Sequence, residues 1–196
     1  TSAFPPGTRC WSAVAGASGY RLEEQVDGGA WTQVQDSASL SLAFPSKAAG
    51  SYAYRVRACA GGNCASYSNV VTAAVKPASA PNLAGPGGAN ATGAYSISWT
   101  PIAGATSYRL EEKRDPGAWA EIYNAGGTST SLSGRVTGTY NYRVMACNAG
   151  GCSAYSSPFV VTVALAPTDV PVVSVPAVSG NGSFVVSWTS VTGSTS

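Results

Sequence analysis

The sequence predicts an all-β protein made of antiparallel two-sheet sandwiches in tandem, and three observations predict it. First, the chain repeats itself without a gap. Trp11, Tyr20-Arg21-Leu22-Glu23-Glu24 and Gly29-Ala30-Trp31 return 88 positions later as Trp99, Tyr108-Arg109-Leu110-Glu111-Glu112 and Gly117-Ala118-Trp119. Tyr52-Ala53-Tyr54-Arg55-Val56-Arg57-Ala58-Cys59 returns as Tyr140-Asn141-Tyr142-Arg143-Val144-Met145-Ala146-Cys147. A period this long marks an array of whole modules. Second, no window carries a helical period; short alternating runs rich in Val, Ile, Thr, Tyr and Trp recur instead. Third, Gly, Pro, Asn and Asp cut those runs at regular intervals, as turns between strands require.

The second copy shows the elements in order. Pro81 to Ala84 contains a proline and suits an edge strand, because proline cannot donate to a ladder. Further strands are predicted over 95–99, 107–113, 119–123, 129–132, 139–146 and 155–163. Seven strands in some 88 residues fit a sandwich. Asp27-Gly28-Gly29 and Asp115-Pro116-Gly117 are tight-turn signals, and Ala15-Gly16-Ala17-Ser18 and Ala103-Gly104-Ala105-Thr106 mark the turn before each Tyr-Arg-Leu strand. Lys76-Pro77-Ala78-Ser79-Ala80 and Ala164-Leu165-Ala166-Pro167-Thr168 read as short, semi-rigid linkers.

Composition narrows the function classes. Charged residues make up 10% of the chain and the net charge is +2, without the clustered Lys and Arg that nucleic-acid binding needs. No apolar stretch is long enough to predict a membrane span. Histidine is absent, which removes the commonest general base and metal ligand. The nine acids are scattered, and most sit in strand or turn patterns with a structural explanation. No catalytic, cofactor-binding or metal site is expected. No signal peptide is visible, and because the sequence starts inside a module this says nothing about export.

Taken together these residues resemble the fibronectin type III module, in the form common in bacterial secreted and cell-surface proteins. The resemblance covers nearly the whole chain and implies tandem seven-stranded immunoglobulin-like sandwiches. It implies a core tryptophan on the second strand (Trp11, Trp99 and Trp188) and a tyrosine on the third (Tyr20 and Tyr108). Gly50 and Gly138 open the sixth strand, and Tyr52 and Tyr140 become corner tyrosines whose hydroxyls bond upstream backbone. The chain then divides into three segments. Residues 1–76 form a module lacking its first strand, residues 77–166 a complete module, and residues 167–196 the first two strands of a third. No Arg-Gly-Asp stands before either last strand, so integrin recognition of that kind is not supported.

Cys59-Ala60-Gly61-Gly62-Asn63-Cys64 recurs as Cys147-Asn148-Ala149-Gly150-Gly151-Cys152. Each pair flanks a glycine-containing turn between the sixth and seventh strands, where strand neighbours can meet disulfide distances. Two disulfides within modules are expected, and with them an oxidising, extracellular or cell-surface location. The rival reading, metal binding, has two thiols and no histidine where a structural zinc wants four ligands. Cys10 has Ser98 and Ser187 as counterparts, and is read as a free or intermolecular thiol on an outer face.

Arg21, Glu23, Arg55 and Arg57 alternate with inward Tyr20, Leu22, Tyr54 and Val56, so the outer face of that sheet should carry cross-strand charge pairs. Trp31 and Trp119, with Tyr67 and Tyr155, are either packing residues or an exposed platform for sugar rings. Asn90-Ala91-Thr92 and Asn181-Gly182-Ser183 match the glycosylation sequon and are read as ordinary turn residues. The segment from Val170 to Trp188, alone, would be an apolar hairpin with open edges. Either the sequence is cut from a longer array, or the tail of one copy supplies the strand missing from the next copy's first module. The latter is a head-to-tail contact that makes filaments.

The function expected is a non-catalytic extracellular spacer array, part of a stalk, fibre or filament, whose partners are neighbouring modules or further copies of itself. The alternative is a carbohydrate- or protein-binding accessory module of a larger secreted protein or hydrolase, which requires Trp31 and Trp119 to be solvent-exposed.

Overall fold

The computed structural model describes residues 8–175 and 180–191. Residues 1–7, 176–179 and 192–196, the last two within the segment expected to form two strands of a third module, lie outside them. The first module holds β1 (Thr8–Cys10), β2 (Gly19–Val26), β3 (Trp31–Ser37), β4 (Ser41–Ala43), β5 (Gly50–Ala60), β6 (Asn63–Cys64) and β7 (Val71–Val75). The second holds β8 (Leu83–Ala84), β9 (Tyr95–Trp99), β10 (Ser107–Arg114), β11 (Ala120–Ala125), β12 (Ser129–Leu132), β13 (Gly138–Asn148), β14 (Gly151–Cys152) and β15 (Phe159–Val163). A last pair, β16 (Val173–Ser174) and β17 (Ser187–Trp188), comes after it. The fold is all-β, with no helix among the described residues.

Each module pairs a larger sheet with a smaller one. In the second, β11-β10-β13 continues into β14, β15 also pairs with β13, and β12-β9-β8 lies opposite. In the first, β3-β2-β5 carries β6 and β7 in the same way, and among the described residues the facing sheet is β1 and β4. Every pairing within these sheets is antiparallel, as short connections between successive strands require.

Alternation explains the core. Tyr108, Leu110, Tyr140, Tyr142, Val144, Ile97, Trp99, Val161 and Val163 all point between the second module's sheets and are buried. The equivalent centre of the first module is Leu22, Tyr52 and Tyr54, with Trp11, Val34, Phe44 and Val56 only half-buried around it. Among the described residues the smaller facing sheet covers less of the larger one, and fewer side chains of the first module are fully buried.

Two strand expectations and two core expectations shift. The last long strand, expected over 155–163, begins its ladder only at Phe159. Upstream, serine hydroxyls stand in for the ladder's acceptors: Ala146 N donates to Ser153 Oγ and Val144 N to Ser156 Oγ, each at 3.1 Å, while Ser153 N and Ser156 N donate back to the Ala146 and Val144 carbonyls, and Pro158 has no N–H to offer. The first edge strand is reduced to Leu83–Ala84, because Pro81 cannot join the ladder. Trp188, expected in a core, is 69% exposed. Its hairpin has only β16 beside it among the described residues, whereas Trp99 is closed over by the second sheet and is 4% exposed. Trp11, also expected in a core, is half-buried.

Candidate functional site

The outer face of the larger sheet carries the same constructed cluster twice. The β2–β5 register sets Glu23 opposite Arg55, and β10–β13 sets Glu111 opposite Arg143. Arg55 Nη2 lies 2.7 Å from Glu23 Oε2, and Arg143 Nη2 2.7 Å from Glu111 Oε2. The other carboxylate oxygen accepts a tyrosine hydroxyl, from Tyr67 at 2.5 Å and from Tyr155 at 2.6 Å. Each guanidinium is then sandwiched between two rings. Arg55 lies 4.2 Å from the Trp31 centroid and 3.9 Å from that of Tyr67; Arg143 lies 4.3 Å from Trp119 and 4.1 Å from Tyr155. Such stacking contributes about 0.5–1 kcal/mol at exposed sites and more when desolvated.

Electrostatics follow from the geometry. The Tyr67 hydroxyl, outweighing burial and helped by Arg55, holds the Glu23 carboxyl below its ordinary value of 4.5. Around Glu111 burial works the other way, but Tyr155 and Arg143 together overcome it and the carboxyl is again lowered. Tyr67 is pushed up by its bond to Glu23, and Tyr155 by burial and its bond to Glu111. Arg21 meets Arg57 across the strands and turns instead to Asp36 at 2.8 Å; Arg109 turns to Glu121 at 2.6 Å. Trp31 and Trp119 are half-buried, each with one ring face against a guanidinium.

A second duplicated cluster went unread in the sequence. Glu24 continues the inward alternation of Tyr20 and Leu22 and is buried. Its Oε2 accepts the Tyr54 hydroxyl at 2.8 Å and Lys47 Nζ at 2.5 Å. In the second module Glu112 Oε2 accepts Tyr142 at 2.6 Å and Arg135 Nε at 2.8 Å, and the Tyr142 and Tyr95 hydroxyls lie 2.7 Å apart. Burial, then the neighbouring carboxylate, pushes the Tyr54 and Tyr142 hydroxyls well above the ordinary tyrosine value. The signal was present: Lys47 and Arg135 occupy equivalent positions in the two copies.

The cysteines, corner tyrosines and sequon asparagine each have a defined place. Cys59 and Cys64 are bonded at 2.07 Å and Cys147 and Cys152 at 2.01 Å. Cys10 is free and exposed. Tyr52 donates to Ala48 O at 2.8 Å and Tyr140 to Val136 O at 3.1 Å, the corner geometry. Asn90 turns its amide inward: Oδ1 accepts Thr92 N and Gly93 N, and Nδ2 donates to Ala94 O. No group of three or more metal-ligating side chains exists among the described residues.

The two modules meet at the second disulfide loop. Asn148 Nδ2 donates to Val75 O, the end of β7, and to Gly104 O, both at 2.8 Å, while its Oδ1 accepts Gly150 N. Gly104 approaches Ala49 so closely that a Cβ there would lie 2.3 Å from the Ala49 carbonyl oxygen. Pro77 of the linker and Pro81 just after it are fully buried.

Sequence comparison finds no matching family model and no matching curated relative. In structure, the chain is similar to a two-domain fibronectin type III segment of chicken tenascin. The identity is 17% and the TM-score 0.52, over 79% of this chain and 90% of that one. It also overlaps the FN1–FN3 segment of chicken CNTN1 (16% identity, TM-score 0.41, 80% of this chain and 62% of that one). A third overlap is with the twitchin kinase region from C. elegans (24%, TM-score 0.38, 45% and 17%). The tenascin likeness assigns the fold: tandem fibronectin type III β-sandwiches.

Proposed function

We propose that the chain is a non-catalytic spacer, a run of modules in an extracellular stalk, fibre or surface filament, with the angle between modules set by their junction. One observation carries the reading. The disulfide-closed loop of the second module grips the last strand of the first through Asn148, and Pro77 of the linker and the adjoining Pro81 are buried rather than free. A flexible tether would leave those groups to solvent. The two disulfides fit an oxidising compartment. The Trp–Arg–Tyr clusters use their faces on each other, which supports packing over a ligand platform.

Small-angle scattering of the chain at a concentration where it is monomeric tests this. The expected result is one elongated shape with a narrow distribution of intermodule distances, broadened by Asn148→Ala without loss of fold. A broad distribution already present in the parent chain sinks the spacer reading.

A further inference from the structure

The two disulfide loops are built alike but placed differently. Each bond joins cysteines five positions apart, directly opposite one another across a hairpin. In the first module, a Cβ built on Gly61 or Gly62, or on Gly16 in the neighbouring turn, would meet nothing within 4 Å among the described residues. At the equivalent positions of the second module, a Cβ on Gly150 would lie 2.7 Å from Lys76 N and one on Gly104 2.3 Å from Ala49 O. Asn148, where the first loop has Ala60, adds the hydrogen bond to Val75 O at 2.8 Å.

These contacts converge on one corner of the first module. Val75 is paired with Gly50 at the end of the β5–β7 ladder, and Ala49 precedes Gly50. On the other side, Cys147 ties the loop to the Gly104 turn, because its carbonyl accepts Thr106 N at 2.8 Å. The Asn148 side chain is aimed from within the loop, its Oδ1 accepting Gly150 N at 2.8 Å. Beyond the cysteines the hairpin has a single further ladder pair, Asn148 with Gly151. Two of the four residues there are glycine, the residue with most conformational freedom to lose. The disulfide removes that freedom from the loop.

The structure assigns the Cys147–Cys152 bond as a redox-sensitive lock on the joint between the modules. Closed, it holds Asn148 and Gly150 against the end of β7; opened, it frees the joint while both sandwiches stay folded. The inference rests on the spacer reading and deepens it by naming what controls the joint. The reductant is a dithiol. Cys147 is buried and Cys152 half-buried, so a thiolate of the dithiol attacks Cys152 Sγ and expels the Cys147 thiolate. The second thiol of the reductant then attacks its own sulfur in the mixed disulfide and releases Cys152. Two electrons and two protons pass to the cysteines, and the dithiol leaves as a disulfide. The Cys59–Cys64 bond undergoes the same chemistry without touching the joint.

Amide 15N relaxation of the monomeric chain tests this, because modules joined rigidly tumble as one body. The oxidised parent is expected to show one tumbling time for both modules. Cys147→Ser with Cys152→Ser should give two separate, shorter times, with the amide dispersion of both modules kept. Dithiothreitol added to the parent should do the same, reversibly on reoxidation. Cys59→Ser with Cys64→Ser should leave the common time unchanged. Asn148→Ala should free the joint with both bonds closed, and should add nothing further once Cys147 and Cys152 are serines. A common tumbling time that survives reduction overturns the lock and leaves the spacer reading standing. So does a loosening that the Cys59 and Cys64 variant produces equally, or an Asn148→Ala effect that is the same with the bond open as closed. A second module that loses its dispersion without the bond makes the disulfide a folding element and also overturns the lock. Separate tumbling already present in the oxidised parent overturns the spacer reading itself.

Discussion

Replacing Tyr142 by Phe deletes one oxygen from a fully buried ring. That oxygen donates to Glu112 Oε2 at 2.6 Å and lies 2.7 Å from the Tyr95 hydroxyl. The loss is a hydrogen bond to a charged acceptor, about 1.5–3 kcal/mol, plus a half-buried Tyr95 hydroxyl left without that partner. A cost of about 2–3 kcal/mol results. With a urea slope of roughly 1–3 kcal/mol/M, the second module's transition should move down by about 1 M at unchanged slope. Tyr140→Phe is the internal yardstick. It removes a hydroxyl from an equally buried ring, but the acceptor is the neutral Val136 carbonyl at 3.1 Å, and the cost should be only about 1 kcal/mol. The two variants lose the same atom from neighbouring positions of β13, so their difference isolates the charge on Glu112. Alkali gives a second readout. The Tyr142 hydroxyl titrates above the ordinary value of 10.0 in the folded chain, through burial and then Glu112. Its contribution is whole below that value and is lost as pH rises past it, because only the unfolded chain ionises there. Tyr142→Phe should therefore flatten the alkaline decline. Urea curves in which Tyr140→Phe costs as much as Tyr142→Phe would refute the argument that the inward carboxylate stabilises the core.

At acid pH, Glu23 and Glu111 supply the opposite dependence: both carboxyls are held below 4.5, so their contribution is complete above that value and fades as pH falls below it. Thermal midpoints should drop below about pH 4 and less so in Glu23→Gln with Glu111→Gln; equal acid sensitivity in that double variant would contradict the assignment. Replacing both Cys147 and Cys152 by Ser should cost about 2 kcal/mol, the small loss expected for a short closed loop. Chemical denaturation measures it, and a loss above about 5 kcal/mol would mean the bond carries more than loop closure.

Repetition made the fold readable. Two copies in register exposed Trp11 and Trp99, the corner tyrosines and both cysteine pairs, because chemistry that recurs at a fixed offset stands out from chance. The outward charge pairs followed from period-two alternation alone. Glu24 and Glu112 were lost to the expectation that a carboxylate points to water. Their burial depends on Lys47 and Arg135, which reach them from another part of the chain. The early end of the last strand was hidden too, since Ser153 and Ser156 satisfy strand β13 with hydroxyls that no strand pattern represents. The outer tryptophans were ambiguous for a different reason. Whether a ring is free depends on where Arg55 and Arg143 lay their guanidinium planes, which is a matter of three-dimensional stacking.

The unequal grip on the two ends of the second module bears on how it would behave under load. A pull along the chain enters through β8, attached to β9 over two residues, and leaves through β15, attached to β13 over five. The weaker seam yields first, so tension peels β8 away while the five-stranded sheet stays whole. In a spacer of the proposed kind, a stretched module would therefore lose the cover over Trp99 before its larger sheet came apart.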